Sequence, residues 1–276
     1  MSSIPVFIIS MPESSRVNLI THQLRNLGMH FEIQNAIVGK NLTDRKIKDL
    51  VNIRSCDARL GYRISNNLIG SGLSHIEVYK KAYILGSEWT LILEEDAKLI
   101  NFDINLMKKI APMVNEGAVI IQLFSRAARL VKSKSLRELD NDKVLFEFNK
   151  RIVGCGAPAY LINREAIKIA LEREKLEGAP DWPSWGQKVK FYGIYPWMFE
   201  ENGEGSTVPV GSQSRTKYLL RRFSQLLGIH YLIYRNEYGN YKEYFGEEIF
   251  PYVLYLVWHV KGSKYYKSDK NGLQVI

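Results

Sequence analysis

Cysteine is scarce: Cys56 and Cys155 are the only two in 276 residues. Two thiols without metal-site spacing build neither a disulfide framework nor a thiolate metal centre. Buried inert thiols in a reducing compartment are therefore expected. Long apolar runs are lacking too. The longest late one, Pro251 to Val260, has ten residues, against the ~20 that cross a bilayer. The opening MSSIPVFIIS has no basic n-region and too short an apolar run for a secretory signal. A soluble or peripheral cytoplasmic protein is expected. Internal repeats and low-complexity tracts are absent, and 46% hydrophobic content with 24% charged residues suits a folded core rather than disorder.

Charge is present but uneven. Of the net +9, the stretch from Ser214 to Ile276 carries +5, ten Lys/Arg against five Asp/Glu, interleaved with aromatics. Such a tail suits nucleic acid, an anionic membrane surface or a phosphorylated substrate. Within it, Leu219, Leu220, Phe223, Leu226 and Leu227 share one helical face, with Arg221, Arg222 and Arg235 beside them. That pattern fits a helix lying in a membrane interface and equally one packed on the core. The expected division is a domain at 1–213 and a helical appendage at 214–276.

The first 125 residues alternate between two periods. PVFIIS reads as a buried strand, and Val17, Ile20, Leu24 and Leu27 have helical spacing stopped by Gly28. MHFEIQNAI is a second strand. The segment Ser71 to Gly86 reads as a helix, with Ser74 and Glu77 as its capping box. EWTLILEEDA and GAVIIQLF are further strands. APAYLINREAIKIAL runs from strand to helix through an Asn163 cap. Alternation of this kind predicts an α/β fold with a mainly parallel sheet flanked by helices.

In open α/β sheets ligands gather outside the carboxyl ends of strands. LILEEDA puts Glu94, Glu95 and Asp96 at such an end. Strand alternation predicts that Glu94 and Asp96 project together while Glu95 points away. Two carboxylates on one face form a hard oxygen site suited to Mg²⁺ or Mn²⁺ that also takes substrate phosphates. The plain alternative is a solvated strand end.

The order of segments resembles glycosyltransferase family 25, the bacterial lipooligosaccharide galactosyltransferases related to collagen galactosyltransferases, over roughly Ile4 to Arg215. IISMPESSR resembles its opening strand and turn, with Ser10 at the usual Asn and Arg16 at the Arg. NAIVGKNL is similar to A-x-D-G-x-x-L, with Val38 replacing the Asp. IGSGLSH resembles I-G-C-x-L-S-H and retains Ser74 and His75, whereas Leu68 stands where Glu is usual. LILEEDA resembles L-I-L-E-D-D-V, with Glu95 for the middle Asp. GAPAYLINREAIKIAL and the Pro180-Asp181 pair of APDWPSW also match.

The resemblance implies a GT-A-like fold, a UDP-sugar or related nucleotide-sugar donor, a Mn²⁺ or Mg²⁺ cofactor, and inverting transfer of galactose or a related hexose. The implied acceptor is a lipid-linked lipooligosaccharide at the cytoplasmic face of the inner membrane. Asp96 and Glu94 then become the donor-metal residues, Asp96 as direct ligand and Glu94 as a contact to ribose or to metal-bound water. Ser10 and Arg16 fall on the donor side, Arg suiting a phosphate. Asp181 is the candidate general base and His75 a second catalytic candidate. Trp182 and Trp185 are candidates for a sugar floor and, equally, for core packing. Two other readings stand beside this one. A metal-dependent nucleotidyltransferase would want a Gly-rich basic loop after the first strand, and MPESSR has no glycine. A nucleic-acid-binding protein using the tail leaves the acids unexplained.

Overall fold

A computed structural model describes residues 4–60, 64–114, 116–124, 136–139, 143–147, 156–180, 185, 188–202, 266–269 and 272–275. The chain runs β1 (Val6–Ser10), α1 (Val17–Asn26), β2 (Glu32–Asn35), a 3-10 turn (Gly39–Asn41), α2 (Asp44–Leu50), α3 (Ile53–Leu60), α4 (Asn66–Leu85) and β3 (Trp89–Glu94). There follow β4 (Ala97–Leu99), α5 (Ile104–Met113), β5 (Val119–Gln122), β6 (Leu136–Glu138), β7 (Val144–Glu147), β8 (Ala159–Asn163) and α6 (Arg164–Leu171). Last come β9 (Lys190–Tyr195), β10 (Phe199–Glu201), β11 (Tyr266–Asp269) and β12 (Gly272–Val275).

Eight strands form one sheet in the order β2-β1-β3-β8-β5-β9-β7-β6. Strands β2, β1, β3, β5, β9 and β6 run one way, and β8 and β7 run against them. The expected mainly parallel α/β sheet is there, with β8 inserted antiparallel between β3 and β5. Both faces are covered, which is why β1, β5 and β8 are apolar or buried at every position. Val6, Ile8, Leu91 and Leu93 face α1 and α5. Phe7, Ile9, Ile92 and Tyr160 face α4 and α6.

Punctuation read from the sequence is largely where it was expected. Gly28 and Gly86 adopt φ +65° and +72° beyond α1 and α4, a region that costs a side chain about 1–2 kcal/mol. Asn163 caps α6 by accepting the Ala166 N–H. It also accepts from Val119 N–H at 2.9 Å and donates to Gly117 O at 2.7 Å. One side chain thus starts a helix and pins the start of β5.

Two expectations are corrected. Helix α4 begins earlier than Ser71, at Asn66, with Ser65 accepting the Leu68 N–H as its cap. Ser74 is therefore not a cap. Its hydroxyl donates to Gly70 O (2.7 Å) and accepts from Ile37 N–H (2.8 Å), tying α4 to the loop after β2. The polar pair Asn66-Asn67 hid the true start, because it carries no apolar period. Strand β3 stops at Glu94, and Glu95 and Asp96 form a turn into β4. In the C-terminal stretch the described residues, 266–269 and 272–275, form an antiparallel hairpin, β11 with β12. The interfacial-helix residues Leu219 to Arg235, and the boundary at 213, lie outside the described residues. Among the described residues no helix is long and apolar enough to cross a membrane. Cys56 is fully buried, as expected, and Cys155 lies outside the described residues.

The contact between α4 and the 3-10 turn is backbone against backbone. A Cβ on Gly39 would lie 1.7 Å from Asn66 O, and one on Gly70 would lie 2.4 Å from Ile37 O. Neither obstacle is a side chain that can swing aside. Gly39→Ala and Gly70→Ala are each expected to lower stability by about 1–3 kcal/mol or more through overpacking. Urea unfolding of the two variants checks this, and wild-type midpoints would refute the close approach.

Candidate functional site

The topology itself selects a place. From β1 the chain crosses by α1 to β2 on one side, and then by α4, on the opposite face, to β3 on the other side. Between β1 and β3 the winding reverses, and such a switch point opens a crevice at the carboxyl ends of the strands. A cleft of about 340 Å³ lies there, lined among others by Arg16, Val38, Leu68, Ser74 and all three acids. A larger cavity of about 730 Å³ beside α2 and α3 has Asp44 as the one acid among the described residues of its lining, beside Lys48, Arg54 and Lys175. The carboxylates, not the volume, mark the cleft as the site.

The three acids have three different environments. Glu95 is 6% exposed, and its carboxylate accepts from the Ser10 hydroxyl at 3.0 Å, Met11 N–H at 2.9 Å and an Arg16 N–H at 2.9 Å. Asp96 accepts from the other Arg16 terminal nitrogen at 2.8 Å. Glu94 retains 28% of its side-chain exposure and accepts from His75 Nε2 at 3.1 Å. The expected pairing of Glu94 with Asp96, with Glu95 turned away, is thus replaced. Alternation holds through Glu94, which follows Ile92 onto the α4 face. It ends with the strand, and the turn delivers Glu95 and Asp96 together to Arg16.

The loop MPESSR makes this possible. Glu13 takes φ +62°, an uncommon left-handed conformation for a side chain other than glycine, and the chain returns Arg16 to the start of α1. A cation at a helix N-terminus opposes the helix dipole, and α1 has no acid in its first turn. The two carboxylates compensate that cost. Register is held behind them by Gln23 of α1, which accepts from Leu99 N–H (2.9 Å) and donates to Leu99 O (3.2 Å) on β4. Asn202 N–H donates to Asp96 O at 2.9 Å and anchors the turn from below.

His75 is only 2% exposed and stands behind Glu94 rather than in the cleft lining. Its Nδ1 lies 2.7 Å from the Tyr160 hydroxyl, which lies 2.8 Å from that of Tyr79. Burial pushes both phenols above their ordinary range. For Tyr79 the bond to Tyr160 offsets this in part, and for Tyr160 the negative charge of Glu94 adds to it. Neither tyrosine was marked from sequence. Tyr79 carried a signal, since it lies four residues after His75 on one helix face. Trp185, a candidate sugar floor, is 5% exposed and packs edge-on to Tyr79 at 6.1 Å, so it belongs to the core. Asp181 and Trp182 lie outside the described residues, although Pro180, immediately before them, lines the cleft. Among the described residues no group of three or more His, Cys, Asp or Glu is arranged to hold a metal ion.

A family model described as "Glycosyltransferase family 25 (LPS biosynthesis protein)" matches residues 3–176. No curated protein matches the chain. Among solved structures it is similar to the crystal structure of A197 from STIV, at 14% identity and TM-score 0.35, over 68% of this chain and 81% of that one. It is also similar to the crystal structure of a glycosyltransferase involved in the glycosylation of the major capsid of PBCV-1. There the identity is 10% and the TM-score 0.29, over 61% of this chain and 64% of that one.

Arg16 bridges two nearly buried carboxylates, and removing one partner of a buried ion pair costs about 3–5 kcal/mol. Arg16→Gln is expected to destabilise by that order. The double variant Arg16→Gln/Glu95→Gln should be more stable than the sum of the two single losses implies. Denaturant unfolding of the three proteins measures the coupling, and additive losses would refute the bridge.

Proposed function

The chain belongs to glycosyltransferase family 25 and is a glycosyltransferase, and from that premise we propose an inverting, metal-dependent hexosyltransferase that extends a lipooligosaccharide or lipopolysaccharide acceptor. The observation that carries the reading is the acid-lined cleft at the switch point of β1 and β3. UDP-galactose is the proposed donor.

The residues suit a divalent cation by the chemistry of their donor set. Glu94 and Asp96 supply hard carboxylate oxygens, and Mg²⁺ or Mn²⁺ is commonly held by one or two carboxylates together with substrate phosphates. When bound, the cation supplies positive charge against the diphosphate leaving group. Asp96 is the proposed direct ligand. Glu94, more exposed and braced by His75, is proposed to receive a ribose hydroxyl. Arg16 contributes a guanidinium at the same end of the cleft, and Ser10 supports it through Glu95.

In the transfer, an acceptor hydroxyl attacks the anomeric carbon from the face opposite the diphosphate. The bond from that carbon to the diphosphate oxygen breaks, the nucleoside diphosphate departs, and the hydroxyl proton passes to a base. Asp181 is proposed for that base, because the chain passes through Pro180 in the cleft lining directly before it. A lipid-linked acceptor places the enzyme at the cytoplasmic membrane face, with the basic stretch 214–276 as the proposed contact to anionic lipid.

Two outcomes test this. Asp96→Asn is expected to lower UDP-galactose turnover about a hundredfold or more in a protein that keeps its fold by circular dichroism, and chelation by EDTA should abolish wild-type activity until Mn²⁺ is restored. Full activity in EDTA would overturn the cation's role. Asp181→Asn is expected to reduce kcat by about 10²–10⁴-fold with donor affinity near wild type. Loss of donor binding would instead move Asp181 to the donor side.

A further inference from the structure

Behind Glu94 runs a row of buried polar groups that the transfer reaction does not itself employ. His75, Tyr160 and Tyr79 are 2%, 5% and 3% exposed. Helix α4 supplies His75 and Tyr79 one turn apart, and β8 supplies Tyr160 between them. The imidazole stacks on the Tyr160 ring at 5.7 Å and 22°, and Trp185 closes the far side of Tyr79.

Proton counting gives the row a direction. A carboxylate only accepts, so His75 Nε2 must carry a proton to bond Glu94 Oε1 at 3.1 Å. A neutral ring then leaves a lone pair on Nδ1, which accepts from the Tyr160 hydroxyl at 2.7 Å. The Tyr160 oxygen in turn accepts from Tyr79 at 2.8 Å. For a neutral ring, reversal would set an Nε2 lone pair against a carboxylate oxygen, and only a ring protonated on both nitrogens would donate to Tyr160 instead. Burial keeps both phenols protonated and able to donate.

We propose that Tyr79, Tyr160 and His75 form a one-directional hydrogen-bond chain that fixes His75 as its Nε2–H tautomer and aims Glu94 at a ribose hydroxyl of the donor. Tyr160 and Tyr79 are thereby positioning residues for donor binding, and His75 acts through Glu94 rather than on the acceptor. This rests on the reading of Glu94 as a donor contact. The chain of bonds itself does not. Removing Tyr160's hydroxyl leaves a buried Nδ1 without its donor and frees the ring to change tautomer, so Glu94 loses its fixed aim.

The experiment uses the full chain. Two-bond ¹H–¹⁵N spectra of the five histidines, with His75 assigned through His75→Gln, report its tautomer without any ligand. Calorimetric titration with UDP and with its 2′-deoxy and 3′-deoxy analogues, all with Mn²⁺, reports the ribose contact. Wild type should show Nε2–H at His75 and prefer UDP over at least one deoxy analogue by about tenfold, the size of one hydrogen bond to a charged group. Tyr160→Phe, folded by circular dichroism, should lose the single tautomer and bind UDP about tenfold more weakly. Its affinity for that deoxy analogue should hardly move, so the discrimination disappears. Tyr79→Phe should lie between the two. A proton on Nδ1 in wild type overturns the chain, as does a folded Tyr160→Phe that keeps its discrimination. If wild type shows the Nε2–H tautomer and fails to bind UDP, the donor reading falls, and with it the aim assigned to Glu94.

Discussion

The site depends on one guanidinium. Arg16 spans Glu95 and Asp96 at 2.9 and 2.8 Å, and without a cation there two adjacent, nearly buried carboxylates would repel and resist ionisation. The geometry needs several independent features. The turn at Glu13 must reverse the chain, Gln23 must keep α1 in register with β4, and β3 must end one residue before Glu95. Each is a backbone decision, and each serves the same contact. Arginine suits the post, since its planar fork meets two acceptors at once.

Three consecutive acids therefore divide into three tasks. Glu95 is structural: the Ser10 hydroxyl, a backbone amide and Arg16 all converge on it, so it locks the end of β1 to the end of β3. Asp96 shares the same cation and lines the cleft. Glu94 takes its partner from the other face of the sheet, through His75. The division follows from where the strand stops. A strand continuing to Asp96 would have placed Glu94 and Asp96 on one face and left Arg16 opposite Glu95 alone. Because the contacts come from the end of β1, the loop that follows it, the residue that opens α1 and helix α4, the carboxylates are held by the fold itself, as a preorganised site requires.

Much of the frame was legible in the sequence. Unbroken apolar runs gave β1, β3, β5 and β8 because both sheet faces are covered, and glycines 28 and 86 stop helices where only a left-handed residue fits. Asn163 was readable as a cap, though its second duty toward β5 was not. What escaped is non-local. The antiparallel entry of β8 between β3 and β5 leaves no local mark, since a strand buried on both faces reads the same in either direction. The end of β3 was misplaced because its cause lies 80 residues upstream, at Arg16. Tyr160 read as one more apolar strand residue, and only its register opposite Ile92 shows that it faces His75.

The departures from the family pattern gain meaning from their position. Val38 and Leu68, which stand where the pattern has acids, are far apart in sequence and line the same cleft. Both lie on the side built by the loop after β2 and the first turn of α4. That side is set by backbone contact at Gly39 and Gly70, so its shape is kept while its chemistry changes. The opposite side, with Glu94, Asp96 and Arg16, keeps the pattern's charges. On the proposed reading that charged side answers the diphosphate and ribose, which nucleotide-sugar donors share. Across from it, Val38 and Leu68 are only partly buried. With Lys40 also in the lining, three acids among the described residues there face two cations. Had both positions kept their acids, five would have faced two. The exchange lightens the negative charge that any anionic donor must overcome on entering.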